Sequence, residues 1–314
     1  MKNLEQFKSI LSTQSVSYNQ GLMISKIKSE LKKLKNVTFY EHNENIYVTK
    51  KTYKTDFVPC IVSHMDTVHA ITSNLSCLQV ADNITGFNRL TMKQVGIGGD
   101  DKVGIFICLQ CLEYFDNCKV VFFSNEEIGC YGSYDAKMKF FSNCSFVLQC
   151  DRKGNKDFVI NASGVELSTD EFQNTIISTL QNYGYVFADG GMTDVMALKQ
   201  NGLKICTANI SCGYYNPHQS CEYINIIDVE NCRNMVFELF NQFGNIQFLH
   251  AEKPKPYKYK FDKNEFLSYS TDKDKINFCD NCTNEVEISS DIDDYFCTHC
   301  MMYGKEIKEF VYNY

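Results

Sequence analysis

Three short apolar runs constrain this chain most: Phe57 to Val62, Val120 to Phe123 and, interrupted only by Gln149, Phe146 to Cys150. Runs of this length without polar alternation read as strands buried on both faces, as in a parallel sheet covered by helices on each side. The intervening segments agree. Val103, Phe106, Ile107, Leu109, Cys111, Leu112 and Phe115 make a helix that is apolar over most of its circumference. Met23, Ile27, Leu31 and Leu34 recur at helical spacing, with Asn19 expected as the cap. Further helices are expected at Glu171 to Leu180, at Val195 to Lys199, and after a cap at Asp228, the last carrying Val229, Cys232, Val236, Leu239 and Phe243 on one face. Shorter strands are expected at Val37 to Tyr40, Ile46 to Val48, Tyr185 to Phe187 and Lys204 to Ile210. The expected fold class is α/β, a three-layer sandwich around a mostly parallel, mixed central sheet. Such sheets bind ligands beyond the carboxyl ends of their strands.

Those ends carry a particular set of side chains. His64 and Asp66 follow the first run, Glu126 and Glu127 the second and Asp151 the third, while Asp100 and Asp101 follow Gly98-Gly99 and His218 follows Asn216-Pro217. Mixed imidazole and carboxylate donors suit zinc or another divalent ion better than an all-oxygen calcium cage. In the Glu126-Glu127 pair, one carboxylate can bind a metal while its neighbour moves a proton. Singly, each fragment has a plainer reading: adjacent glutamates as a solvated patch, His64 as a core histidine, Asp100 as a turn residue, His218 as a loop residue.

In order, His-x-Asp, Gly-Gly-Asp-Asp-Lys, Glu-Glu-x-Gly, a strand-terminal Asp and Asn-Pro-His resemble the co-catalytic di-zinc exopeptidase superfamily, which contains peptidase T and the bacterial zinc aminopeptidases. The resemblance runs from about Phe7 to Phe243 and implies the zinc exopeptidase type of sandwich. It implies two catalytic divalent metals about 3.5 Å apart, bridged by Asp100, one completed by His64 and Asp151 and the other by Glu127 and His218. It implies that Asp66 holds the second ring nitrogen of His64, that Glu126 is general base and later acid, and that the Asp100–Asp101 peptide is cis, with Gly98 and Gly99 easing the approach. Gly190-Gly191-Met192-Thr193-Asp194 looks like the family's Gly-Gly-Thr-Asp loop with Met192 inserted, and reads equally as a turn capping the next helix. The implied activity is that of an aminopeptidase or di- or tripeptidase acting on short peptides through a metal-bridging water. Deacylation of an N-acyl amino acid at the same metals is the alternative.

The chain departs from peptidase T in one respect. The interval from Asp151 to His218 leaves no room for a lid insertion of about one hundred residues, the size of a small domain. The Glu126 to Ser133 segment resembles the lidless aminopeptidases. Arg152 could meet a substrate carboxylate, but a surface ion pair is the commoner fate of such an arginine.

Residues 1–249 are expected to form the catalytic domain and 250–275 a linker rich in Lys, Pro, Tyr and Asp. Residues 276–314 should form a zinc ribbon with a C-terminal strand. Cys279, Cys282, Cys297 and Cys300 form two Cys-x-x-Cys knuckles 14 residues apart, suited to one structural zinc. Glu285, Glu287, Asp291, Asp293 and Asp294 make that segment acidic, which disfavours nucleic acid and leaves a docking module for a protein partner or a structural appendage. A binding protein whose working part is the ribbon is the third reading. The other twelve cysteines read as reduced core residues, and with no export signal or 20-residue apolar span the protein is expected in the cytoplasm, away from membranes. A net charge of -7 without a basic stripe likewise gives no default nucleic-acid partner.

Overall fold

The structure, a computed structural model, describes residues 3–250 and, beyond them, the backbone of four short strands. Those strands, Asn277–Phe278, Glu285–Ser289, Asp294–Cys297 and Met302–Tyr303, pair in chain order as an antiparallel meander. The chain divides into two compact units, Met1–Tyr257 and Lys258–Tyr314. Cys279, Cys282, Cys300, the side chain of Cys297 and residues 251–275 of the expected linker lie outside the described residues.

The first unit begins with α1 (Leu4–Leu11) and α2 (Gly21–Leu31), which bury Phe7, Ile10, Leu11, Met23, Ile27 and Leu31. The cap of α2 is Gln20, one residue beyond the expected Asn19, and no side-chain bond closes it. β1 (Val37–His42) and β2 (Asn45–Lys51) form a hairpin whose two turn residues, Asn43 and Glu44, both have positive φ, as a two-residue hairpin turn requires. After β3 (Val58–His64) the chain leaves the main sheet for β4 (Leu75–Val80), β5 (Asn83–Asn88) and β6 (Lys93–Val95). It returns through α3 (Gly99–Tyr114), β7 (Asn117–Phe123), a single turn α4 (Tyr131–Tyr134) and β8 (Cys144–Arg152).

Next come β9 (Asp157–Ala162), β10 (Val165–Glu166), α5 (Asp170–Asn182), β11 (Val186–Gly190), α6 (Asp194–Gln200), β12 (Thr207–Ser211), β13 (Tyr214–Tyr215), β14 (Tyr223–Asn225) and α7 (Ile226–Phe243). Between Asp151 and His218 every one of these elements pairs in a sheet or packs on the core. Asn225, not Asp228, caps α7, accepting from the amides of Ile227 and Asp228; Asp228 sits in the first turn, where its charge suits the helix dipole.

The nine-stranded sheet runs β1-β2-β7-β3-β8-β12-β9-β10, with β11 on β9. It is mixed. The four central strands β7, β3, β8 and β12 are parallel, while the β1-β2-β7 and β12-β9-β10 flanks are antiparallel. Successive side chains divide between two cores: Ile61, Val120, Val48, Phe122 and Leu148 face α1, α2, α3, α5 and α7, while Cys60, Val62, Val121, Phe123 and Val147 face α6 and the Phe141 turn. A second sheet, β13-β14-β5-β4 with β6 on β5, was not anticipated from sequence; its strands are short and only half buried, so no long apolar run marks them.

The twelve cysteines of the described residues form no disulfide, and ten of them are buried. Among the described residues no helix is long and apolar enough to cross a membrane.

Candidate metal centre

The carboxyl ends of β3, β7 and β8 lie side by side because these strands pair in parallel, and this alone draws His64, the Glu126-Glu127 loop and Asp151 together. Asp100 arrives from the start of α3 and His218 from the segment between β13 and β14. The Oδ1 atom of Asp100 lies 3.1 Å from Nε2 of His64, and its Oδ2 lies 3.4 Å from Nε2 of His218. Asp151 adds Oδ1 at 3.4 Å from Nε2 of His64, and Glu127 adds Oε2 at 3.1 Å from Nε2 of His218. One carboxylate thus stands between two imidazoles, each with one further carboxylate of its own.

Local structure holds each donor. The Asp100–Asp101 peptide is cis, and both residues leave helical geometry at the head of α3. Gly98 has φ +69, and a Cβ on Gly99 would lie 2.9 Å from both Tyr214 and Ile224, so this approach admits only glycine. Asn125, also left-handed at φ +55, turns the chain after β7, and its Oδ1 accepts from the Tyr18 amide and the Gln20 side chain. The carboxylate of Asp66 accepts from the Glu126 and Glu127 amides at 2.9 and 3.3 Å and from Ser17 at 2.7 Å. His64 Nδ1 lies 3.0 Å from the backbone carbonyl of Asp66 and 3.5 Å from its carboxylate. Asp66 therefore orients His64 mainly through its main chain, and its carboxylate shapes the Glu126-Glu127 turn.

His64, Asp101 and Asp151 also come near enough to share an ion, as do His64, Asp100 and Glu127. Asp101 is already engaged: its two oxygens accept from the Gly104 amide at 3.0 Å and the His64 amide at 3.2 Å, bracing the kinked first turn of α3 and tying it to β3. Asp100 has no such amide partner on its carboxylate among the described residues. Glu127 Oε1 is buried without a hydrogen-bond partner, as expected of an atom that a cation would satisfy. The donor set therefore fits divalent metal.

The acidity of these groups carries the same message. Burial pushes Asp101, Glu126 and Asp151 well above the ordinary carboxylate range, and neighbouring carboxylates push them further. Glu127 is raised by burial and by Asp100. Asp100 is lowered: burial opposes its charge, but hydrogen bonds from His218 and His64 outweigh it. Hydrogen bonds to Asp100 and Glu127 hold His218 up at about 10. A metal-free centre thus binds protons more tightly at His218 and at every one of these carboxyls except Asp100, and a cation must compete with them. Zinc titrations in buffers of different ionisation enthalpy should show proton release, and affinity should fall as pH is lowered.

Several supporting residues had no sequence signal strong enough to single them out. Gln149 donates to Asp151 Oδ2 at 3.1 Å, and Asn209 accepts from the Asp151 amide at 3.0 Å and donates to its carbonyl at 2.8 Å. Thr193 joins them, donating to Gln149 Oε1 at 2.8 Å, which gives the Gly190 to Asp194 loop a structural purpose. A lone polar residue inside an apolar strand run was the available clue for Gln149 and Asn209. Glu222 had none. Fully buried, it accepts from the Ile97, Gly98 and Asp100 amides and lies 2.8 Å from Nε2 of His69, fixing the loop that delivers Asp100. Glu222→Ala should cost about 3 kcal/mol by orphaning those amides and should weaken metal binding about 10–100-fold; denaturant unfolding and chelator competition would check each effect.

Residues 45–241 match the sequence pattern of peptidase family M28. No curated protein matches the sequence. Among solved structures, the fold is similar to an aminopeptidase PepT from Bacillus cereus (TM-score 0.59, 13% identity, 76% of this chain and 96% of that one). It is also similar to a tripeptidase from Staphylococcus aureus (0.61, 13%, 77% and 97%) and an aminopeptidase from the archaeon Desulfurococcus kamchatkensis (0.61, 13%, 77% and 95%). At these identities the structural likeness is one of fold.

Proposed function

The chain belongs to peptidase family M28 and is a zinc metallopeptidase, and from that premise we propose that it is an aminopeptidase cleaving short peptides from the N-terminus. The observation that carries the proposal is the position of Asp100, one oxygen toward His64 and Asp151 and the other toward His218 and Glu127. In this reading His64, Asp100, Glu127, Asp151 and His218 would hold the metal, Asp100 being the donor that faces both His64 with Asp151 and His218 with Glu127. Bound zinc would make water acidic enough to serve as a nucleophile and would polarise the scissile carbonyl.

The remaining work belongs to the protein. Glu126 is mostly buried, with Oε2 3.9 Å from His64 Nε2 and its amide fixed by Asp66, so its carboxylate stands beside the donors without being needed as one. Glu126 takes the proton from the attacking water and returns it to the leaving amine. Burial raises the affinity of Glu126 for that proton, while cations in the centre would lower it, poising the group for both transfers. Asp66 orients Glu126 and His64 together. Gln149, Thr193 and Asn209 hold Asp151.

Cys279, Cys282, Cys297 and Cys300 bind a structural zinc in the same proposal, on the spacing of their two knuckles, and this ribbon offers a protein partner a surface. Buried thiols in place of disulfides support a reducing, cytoplasmic setting.

The test is a panel of di- and tripeptides, each with a free and an acetylated N-terminus, given to zinc-loaded protein. Release of the first residue from the free-amine peptides alone is the expected result. Cleavage of the acylated compounds alone would move the assignment to an N-acyl amino acid deacylase at the same residues.

A further inference from the structure

A cavity of about 240 Å³ opens directly against Asp151. It is smaller than the roughly 300–1,000 Å³ of pockets for drug-sized ligands, so it suits one residue of a substrate. Tyr214, Met192 and Pro217 supply its apolar walls, and Arg152 and Lys153 its cationic edge. Among the described residues Asp151 is the only acidic side chain lining it, and that charge faces His64 in the metal centre.

Arg152 is pre-set. Its Nε donates to Asp157 Oδ2 at 2.8 Å, and the Asp157 amide donates in turn to Ser211. The Nη1 amino group lies along Gly190, where a Cβ would come within 3.3 Å of it, so the bare glycine leaves the guanidinium edge open to the cavity. Among the described residues no hydrogen bond uses either Nη group of Arg152. A planar fork of this kind pairs with a carboxylate through two parallel bonds, and the exposed Lys153 ammonium adds a second cation beside it.

We propose that this cavity binds a carboxylate of the peptide substrate through Arg152 and Lys153. The proposal rests on the aminopeptidase reading and names its substrate class. The carboxylate comes either from the C-terminus of a dipeptide or from an acidic side chain. Both sources offer the same chemistry to the same two residues.

The test is calorimetric binding to the full-length, zinc-loaded protein of dipeptide analogues whose peptide bond is reduced and cannot be cleaved. Alanyl-alanine is compared as free acid and C-terminal amide, and glutamyl-alanine amide is compared with glutaminyl-alanine amide. The acid of at least one pair should bind about ten- to hundredfold more tightly than its neutral partner. The responding pair identifies the source. Lys153→Glu should abolish the preference, and Arg152→Lys, which keeps a cation for Asp157 but loses the fork, should reduce it. Equal binding within both pairs, or a preference that survives both substitutions, overturns the proposal. Because binding is read without turnover, a protein that shows this pattern yet cleaves nothing contradicts the peptidase reading alone. One that cleaves peptides with no acid preference contradicts the cavity proposal alone.

Discussion

Glu126→Gln should lower kcat on the order of 10²–10⁴-fold, the usual contribution of a positioned general base, while metal content stays at the wild-type level. The amide is nearly isosteric, and the interaction that fixes residue 126 in place, its backbone amide on Asp66, does not involve the replaced atoms. The four carboxylate and imidazole contacts around Asp100 likewise leave Glu126 out. What disappears is the proton acceptor. KM should change little, since the lost interaction operates in the transition state. Steady-state kinetics paired with metal analysis decides the matter. Loss of metal would make Glu126 a ligand, and near-normal turnover would take the proton transfer away from it.

Asp100→Ala should be more severe, because it removes the one group shared by both halves of the centre. His64 and Asp151 would remain on one side and His218 and Glu127 on the other, two ligands each, too few to hold zinc firmly against water. Metal should be lost from this centre with all detectable activity, while any ion held by Cys279, Cys282, Cys297 and Cys300 should be retained. The apoprotein should also gain little thermal protection from added zinc, whereas a ligand at one hundred times its Kd stabilises a native protein by about 2.7 kcal/mol. Retention of activity, or of full metal content, would remove Asp100 from the bridging position. Wild type stripped with a chelator and refilled with zinc is the matching control, and it should recover activity.

The legibility of this site in the sequence follows from where its residues sit. His64, Glu126, Glu127 and Asp151 end apolar runs, and a strand buried on both faces announces its own end by the first charged side chain. Asp100 was marked by its glycines. Gln149, Asn209 and Glu222 were not marked as strongly, because each acts through hydrogen bonds to groups distant in sequence, such as the Thr193 hydroxyl on Gln149 and the Asp100 amide that Glu222 holds across 122 positions. The fold divides in the same way. The parallel centre β7-β3-β8-β12 was readable from continuous apolar runs, whereas β4, β5 and β6, half exposed and short, had no pattern to betray them. The cap of α7 differs from the expected Asp228 because the Asn225 side chain reaches the Ile227 and Asp228 amides, leaving the Asp228 carboxylate to accept from Tyr215 and Asn155.

The account stands most directly on the arrangement around Asp100, and anomalous diffraction at the zinc edge from crystals of the full-length protein measures it. At this centre, apart from any ion on Cys279, Cys282, Cys297 and Cys300, two peaks about 3.5–4 Å apart, one touching His64 and Asp151, the other His218 and Glu127, with Asp100 contacting both, is the predicted result. A single peak at this centre, or a pair that does not share Asp100, would contradict it.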